Sequence, residues 1–183
     1  MSKLNVIKKP KIMVIGHARH GKDEVGELLT KLLGLQYISS SLICMEEFCF
    51  DAMKEEFGYE TIEECYADRD NHRTLLHWLI RIYNWHDKAA VSKLILQERN
   101  MDMYLGIREI RELQESKRQG VHDVVVWVDA LSRKPKESKS SFNISITEAD
   151  YIIDNNGPVE ALEGEVLKFI AWLEEKGHLI CAP

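Results

Sequence analysis

A short apolar run, Lys11-Ile12-Met13-Val14-Ile15, stops at Gly16 and is followed by His17-Ala18-Arg19-His20 and then by Gly21-Lys22-Asp23. Four consecutive apolar residues suit a parallel strand covered on both faces. Past the second glycine, Val25, Leu28, Leu29, Leu32 and Leu33 recur at helical spacing, so a helix is predicted to start close to Lys22. Strand, glycine-bracketed loop and helix in this order constrain the fold more than any other segment. The glycines permit a tight turn, successive amide N–H groups point inward, and the positive end of the helix faces whatever the loop encloses. Such a nest suits phosphate oxygens, with Lys22 as a point charge at the β and γ positions. Asp23 stands where this pattern usually has Ser or Thr.

Further strand-like segments follow at Gln36 to Ser39, Asp102 to Gly106, Asp123 to Asp129 and Tyr151 to Asp154, alternating with helical ones. Alternation of this kind predicts an α/β fold: a five-stranded parallel sheet with helices on both faces. Val124 to Val128 form the clearest buried strand, and Leu162, Val166, Phe169, Ile170 and Leu173 mark a final amphipathic helix. Between the second and third strands lies a mostly helical insertion, about residues 40–101. After the fourth strand comes a Lys- and Ser-rich loop, about residues 130–142 with its densest part at Lys134 to Ser141. Ligands of open α/β sheets bind at the carboxyl ends of the strands, which would put the insertion over a second substrate.

A chain of 183 residues fits one domain, and a net charge of −6 argues against a general nucleic-acid or membrane-surface binder. Any anion site must therefore be a local basic cluster. The cysteines, Cys44, Cys49, Cys65 and Cys181, form no Cys-x-x-Cys pair, and no signal peptide or membrane-spanning apolar run is evident. The expectation is reduced thiols in a cytoplasmic protein.

Arg69, Arg73 and His77 fall at i, i+4 and i+8, which predicts one helical face carrying two guanidiniums. Such a pair grips a phosphate by forked hydrogen bonds, and Tyr66 or Trp78 beside it offers a ring for a base to stack on. A solvated charged face with core aromatics is the alternative. Arg108 follows the third strand and is expected at the same sheet edge as the loop, either facing a ligand or opening a helix near Glu109 and Glu112. Arg133, with Lys134, Lys136 and Lys139, is expected on a lid that closes over a transferring phosphoryl group. Asp23 is the candidate ligand of Mg²⁺, directly or through water. Asp129 ends a strand as a second metal carboxylate does, and equally as a turn cap does.

With these residues in view, nearly the whole chain resembles the deoxynucleoside monophosphate kinases of tailed bacteriophages, a branch of the P-loop nucleoside monophosphate kinases. The segments that carry the resemblance are Gly16 to Asp23, Glu64-Cys65-Tyr66-Ala67-Asp68-Arg69 running to Asn71-His72-Arg73, Tyr104-Leu105-Gly106-Ile107-Arg108, Val126-Trp127-Val128-Asp129-Ala130, and Ala149 to Gly157. The resemblance implies a three-layer P-loop kinase fold, ATP or dATP as donor, Mg²⁺, and a nucleoside monophosphate acceptor. It implies donor binding by Gly16, His17, Ala18, Arg19, His20, Gly21, Lys22, Asp23 and Glu24, with Asn155, Asn156 and Gly157 near the adenine. The acceptor would meet Tyr66, Arg69, Arg73, Trp78 and Arg108, and Lys22, Arg108 and Arg133 would serve the transfer itself. If the chain is viral, the compartment is the host cytoplasm. Arg19 and Asp23 are also similar to the loop of phosphomevalonate kinases, which keeps a non-nucleotide acceptor in play. Leu105 stands where many nucleoside monophosphate kinases carry Asp, which keeps an inactive nucleotide-binding protein in play. The sequence leaves both a monomer and a homodimer open.

Overall fold

A computed structural model of the protein describes residues 6–182. Its centre is a four-stranded, all-parallel sheet. Strand β2 (Ile12–Ile15) lies between β3 (Met103–Leu105) and β4 (Val124–Asp129), and β5 (Tyr151–Asp154) flanks β4. The segment expected as a fifth strand, Gln36 to Ser39, reaches only a single parallel bridge from Tyr37 to Met103. Asp102 and Gln36 open this pairing, the carboxylate accepting from the Gln36 amide at 2.8 Å while the Gln36 carbonyl takes the Asp102 and Met103 amides. Past the bridge the Leu105 carbonyl accepts from the Ser40 hydroxyl at 3.2 Å instead of from a strand amide. Serines 39–41 then turn the chain into a helix. A small antiparallel pair, β1 (Val6–Lys8) with β6 (Ile180–Cys181), was not anticipated.

Side chains of the strands alternate between two cores. Ile12, Val14, Met103, Leu105, Val124, Val126, Val128 and Ile153 face helices α1 (Lys22–Leu33) and α8 (Leu162–Glu175), which contribute Val25, Leu29, Leu32, Leu33, Val166, Phe169, Ile170 and Leu173. Met13, Ile15, Tyr104, Val125 and Trp127 face the other way, toward α7 (Ile110–Arg118) and the insertion. Helices therefore cover both faces, which is why every residue of β2 is buried and the strand reads as an unbroken apolar run. α1 ends where Gly34, at φ 68°, donates its amide to the Thr30 carbonyl at 2.9 Å.

The insertion is helical as expected: α2 (Ser40–Cys44), a π-helical turn (Met45–Cys49), α3 (Phe50–Phe57), α4 (Ile62–Ala67), α5 (Arg73–Tyr83), α6 (Ala90–Lys93) and a second π-helical turn (Leu94–Glu98). Thr61 and Glu64 cap α4 reciprocally, each side chain satisfying a backbone amide of the other. Cys44, Cys49 and Cys65 are buried beneath these helices, where Cys65 Sγ lies 3.1 Å from Met45 Sδ. Burial raises the Cys44 and Cys49 thiols, leaving them as packing groups.

Arg69 and Arg73 are not on one helix. α4 stops at Ala67, and α5 begins at Arg73. Asp68 breaks the run: its carboxylate accepts from the Tyr59 hydroxyl at 2.5 Å and from Asn71 Nδ2 at 2.5 Å, and lies 3.1 Å from His72 Nε2. A short acid that bonds its own neighbourhood favours a turn over continued helix.

Candidate functional site

The loop between β2 and α1 is held in shape by its backbone. Gly16 has φ 143°, and a Cβ there would sit 2.6 Å from the Val128 carbonyl oxygen, so only glycine lets the loop leave the sheet this close to β4. Gly21, at φ 95°, leads directly into α1 and packs against the Asn155 amide. Arg19 also takes a left-handed φ of 62°, and its side chain is exposed. Lys22 folds back over the loop, donating to the carbonyls of Gly16 at 3.0 Å and His17 at 2.7 Å. Burial pulls its ammonium pKa down to about 8, and the Arg108 guanidinium adds to the effect.

The loop histidines face inward. His17 is buried with its ring edge-on to His20, Trp127 and Phe142. Burial, then the neighbouring His20, lower its pKa. His20 Nδ1 accepts from the Ala130 amide at 3.1 Å, and its carbonyl accepts from Asn155 Nδ2 at 2.9 Å. These two side chains thus brace the loop from its buried side, while Arg19 and Asp23 are its exposed residues.

In front of the loop opens a cleft of about 530 Å³. One wall carries Ala18, Arg19, Lys22 and Asp23; the opposite wall carries Tyr66, Arg69, Asp70, Arg73 and His77. Tyr37, the serines 39–41, Leu105, Gly106 and Arg108 form its floor at the carboxyl end of β3. The break after Ala67 does not separate the two arginines, since both line this cleft. Arg69 lies over the Tyr66 ring, 4.1 Å from its centroid, and donates to the Tyr66 carbonyl at 2.8 Å. That contact fixes the guanidinium plane and covers one face of the ring.

Trp78 is not part of the cleft. It is 56% exposed and carries the Arg81 guanidinium 5.6 Å from its ring centroid, while His77, one position earlier, points inward. Arg73 and His77, four positions apart on α5, share the cleft-lining face as their spacing predicts, and Trp78 lies one residue further round the helix.

Asn155, Asn156 and Gly157 follow β5 at the same sheet edge. The buried Asn155 donates its own amide to the Asp129 carbonyl at 2.7 Å, and its carbonyl accepts from Arg133. Asn156 bridges loops: Oδ1 accepts from the Ser132 amide at 2.8 Å, and Nδ2 donates to Asp129 Oδ2 at 3.0 Å. Asp129 is thus engaged through Oδ2 by the Asn156 side chain. Its other oxygen, Oδ1, is buried without a hydrogen-bond partner among the described residues.

The basic loop after β4 lies down on the cradle. Ser132 to Lys136 are exposed, but Glu137 turns inward: Oε2 accepts from the Ala18 amide at 2.5 Å and Oε1 from Arg108 Nη1 at 2.5 Å. The Glu137 amide donates to His17 Nδ1 at 3.3 Å, and His20 Nε2 lies 3.4 Å from the Pro135 carbonyl. Burial alone would raise the Glu137 carboxyl, but the Arg108 contact and the Ala18 amide outweigh it and hold the group below the usual range. Nothing in the sequence marks Glu137 as special among the charged residues around it. The only signal was that it is the one acid between Asp129 and Glu148 in a stretch otherwise basic or neutral.

A divalent ion would find few protein ligands here. Among the described residues no three His, Cys, Asp or Glu side chains group to hold a metal. Asp23 and Glu24, exposed in the first turn of α1, and Glu137, already engaged by Ala18 and Arg108, are the carboxylates beside the loop, which fits an ion held mainly by phosphate and water. No helix among the described residues is long and apolar enough to cross a membrane. No protein-family model matches the sequence, and a search of curated proteins returns no match to it.

Proposed function

We propose that the protein is an ATP-dependent kinase that transfers the γ-phosphoryl group of ATP or dATP to a (deoxy)nucleoside monophosphate, giving the diphosphate. One observation carries the reading: a glycine-bracketed amide loop with Lys22 forms one wall of a cleft whose opposite wall holds Arg69 and Arg73, with Arg108 on the floor between them. Phosphoryl transfer needs alignment and charge neutralisation more than covalent help, and this arrangement offers both. In this reading the sheet, with the Tyr37 bridge as a rudimentary fifth strand, is the P-loop kinase architecture.

The loop amides and Lys22 hold the donor phosphates. Arg69 and Arg73 bind the acceptor phosphate by charge-assisted hydrogen bonds, and Arg108 neutralises charge on the group in transit. Tyr66 and Tyr37 offer aromatic surface to the acceptor base. Arg133, now on the Asn155 carbonyl, lies within the segment that would close over the phosphates and exclude water. Asp23 would hold Mg²⁺ directly or through water, and the ion would supply charge neutralisation at the donor phosphates.

The test is incubation with ATP, Mg²⁺ and a panel of monophosphates, with ADP formation as readout. Turnover with one or more nucleotides, abolished in Lys22→Ala, is expected. Turnover only with a non-nucleotide phosphate would replace the acceptor and keep the donor site. Absence of ADP with every acceptor would overturn the enzyme reading.

A further inference from the structure

The Ala18 amide and the Arg108 guanidinium come from different elements, the loop after β2 and the segment after β3, yet they meet on the two oxygens of one carboxylate. Each donor lies 2.5 Å from its oxygen, a close contact, and the carboxylate's charge assists both bonds. Without Glu137, an inward amide and a half-buried arginine would lose their anionic partner beside the Lys22 ammonium, leaving Asp23 and Glu24 as the acids acting on Lys22. An unoccupied basic nest of that kind is unfavourable.

We infer that Glu137 is an internal stand-in for phosphate: its carboxylate fills one anion position between Ala18 and Arg108, and a phosphoryl group of the substrate must displace it to bind. The inference rests on the reading of the loop as a phosphate cradle and adds a competitor to it. The exchange is exclusive because the Ala18 amide has a single proton to donate. A polyphosphate carries more charge and more oxygens than a carboxylate, so it wins at sufficient concentration, but its apparent affinity is reduced by the fraction of molecules that are latched. Displacement also loosens the lid around residue 137. Its base stays anchored by Arg133 on the Asn155 carbonyl and by Ser132 on Asn156 Oδ1, while the rest is held by the His17 and His20 contacts to Glu137 N and Pro135 O, both longer than 3.2 Å, and by Phe142 against His17. Its lysines, Lys134, Lys136 and Lys139, lie exposed beside the latch, ready to meet phosphate charge once the acid leaves.

Calorimetry with inorganic tripolyphosphate on the full chain tests this with two variants. Glu137→Gln removes the charge. Glu137→Asp keeps it but is one methylene too short to span both donors. Both are expected to bind tripolyphosphate about tenfold more tightly than the wild type. Without any anion, both should be cut faster by trypsin after Lys136 and Lys139. A gain in the Gln variant alone would mean through-space charge rather than displacement, and equal or weaker binding in both, or unchanged trypsin cutting, would overturn the latch while leaving the cradle standing. Absence of binding by all three proteins would instead remove the cradle, and the latch with it.

Discussion

Asn155 and His20 are joined by a buried hydrogen bond, 2.9 Å from the Asn155 side-chain nitrogen to the His20 carbonyl, which ties the end of β5 to the loop after β2. The shape of the cradle therefore depends on a residue that touches no loop amide. Asn155→Ala strands that carbonyl without a donor, and it is expected to lower stability by about 1–3 kcal/mol. Urea unfolding followed by circular dichroism measures the loss. Tripolyphosphate affinity should fall in the same variant, because the loop is then less well held.

Gly16→Ala combines a disfavoured φ with a contact of 2.6 Å to a backbone oxygen that cannot swing away. A destabilisation of roughly 2 kcal/mol or more is expected, with loss of anion binding. The same change at Gly164, in α8 with open space around it, should stabilise by about 0.5–1 kcal/mol. Midpoints of thermal unfolding for the two variants should move in opposite directions.

The cleft separates two neighbours on α5. In the proposed kinase, Arg73→Ala removes a cleft-lining guanidinium and is expected to raise the acceptor KM about tenfold or more. Trp78→Ala should leave it within roughly twofold, since a surface change away from the site is usually small. Steady-state kinetics with varied acceptor at saturating ATP distinguishes them, and a large effect at Trp78 would move the acceptor site.

Lys22 titrates with a pKa of about 8 in the free protein, so its charge is present below that pH and is lost above it. Tripolyphosphate affinity, measured by calorimetry, is expected to fall as pH rises through about 8. The fall should be absent in Lys22→Met, whose residual affinity is lower at every pH.

His17 and His122 are held in the neutral form, chiefly by burial. His122 has Ser116 Oγ 2.8 Å from Nδ1, and its Nε2 has no partner among the described residues, so a second proton would be buried without an acceptor. A base whose pKa is depressed on folding binds fewer protons in the native state, and stability then drops as pH falls below the ordinary histidine value of 6.5. Denaturant midpoints between pH 7.5 and about 5.5 should show this drop, with a shallower slope in His122→Gln.

Much of this arrangement was readable in the residues themselves. Apolar runs located β2, β4 and β5 almost to the residue, and the glycine-bracketed loop correctly announced a helix from Lys22. The same patterns brought Tyr66, Arg69, Arg73 and Arg108 to one cleft with the loop. What escaped was set by side-chain hydrogen bonds between segments distant in sequence. Ser40 takes the Leu105 carbonyl just past the single Tyr37 bridge, and Asp68 splits the arginine helix by gathering Tyr59, Asn71 and His72. Glu137 left no periodic trace at all, because a single inward acid in an exposed loop has no repeat to betray it.

The alternation of strand side chains between two cores has a consequence for how the protein tolerates change. Met13 and Val14 are adjacent in the chain, yet one supports the helices above the cleft and the other supports α1 and its loop. Substitutions on the first face reach the helices over the cleft, while the support of the glycine-bracketed loop stays intact on the second. One side of the strand can thus diverge while the other is held constant by its duty to the loop.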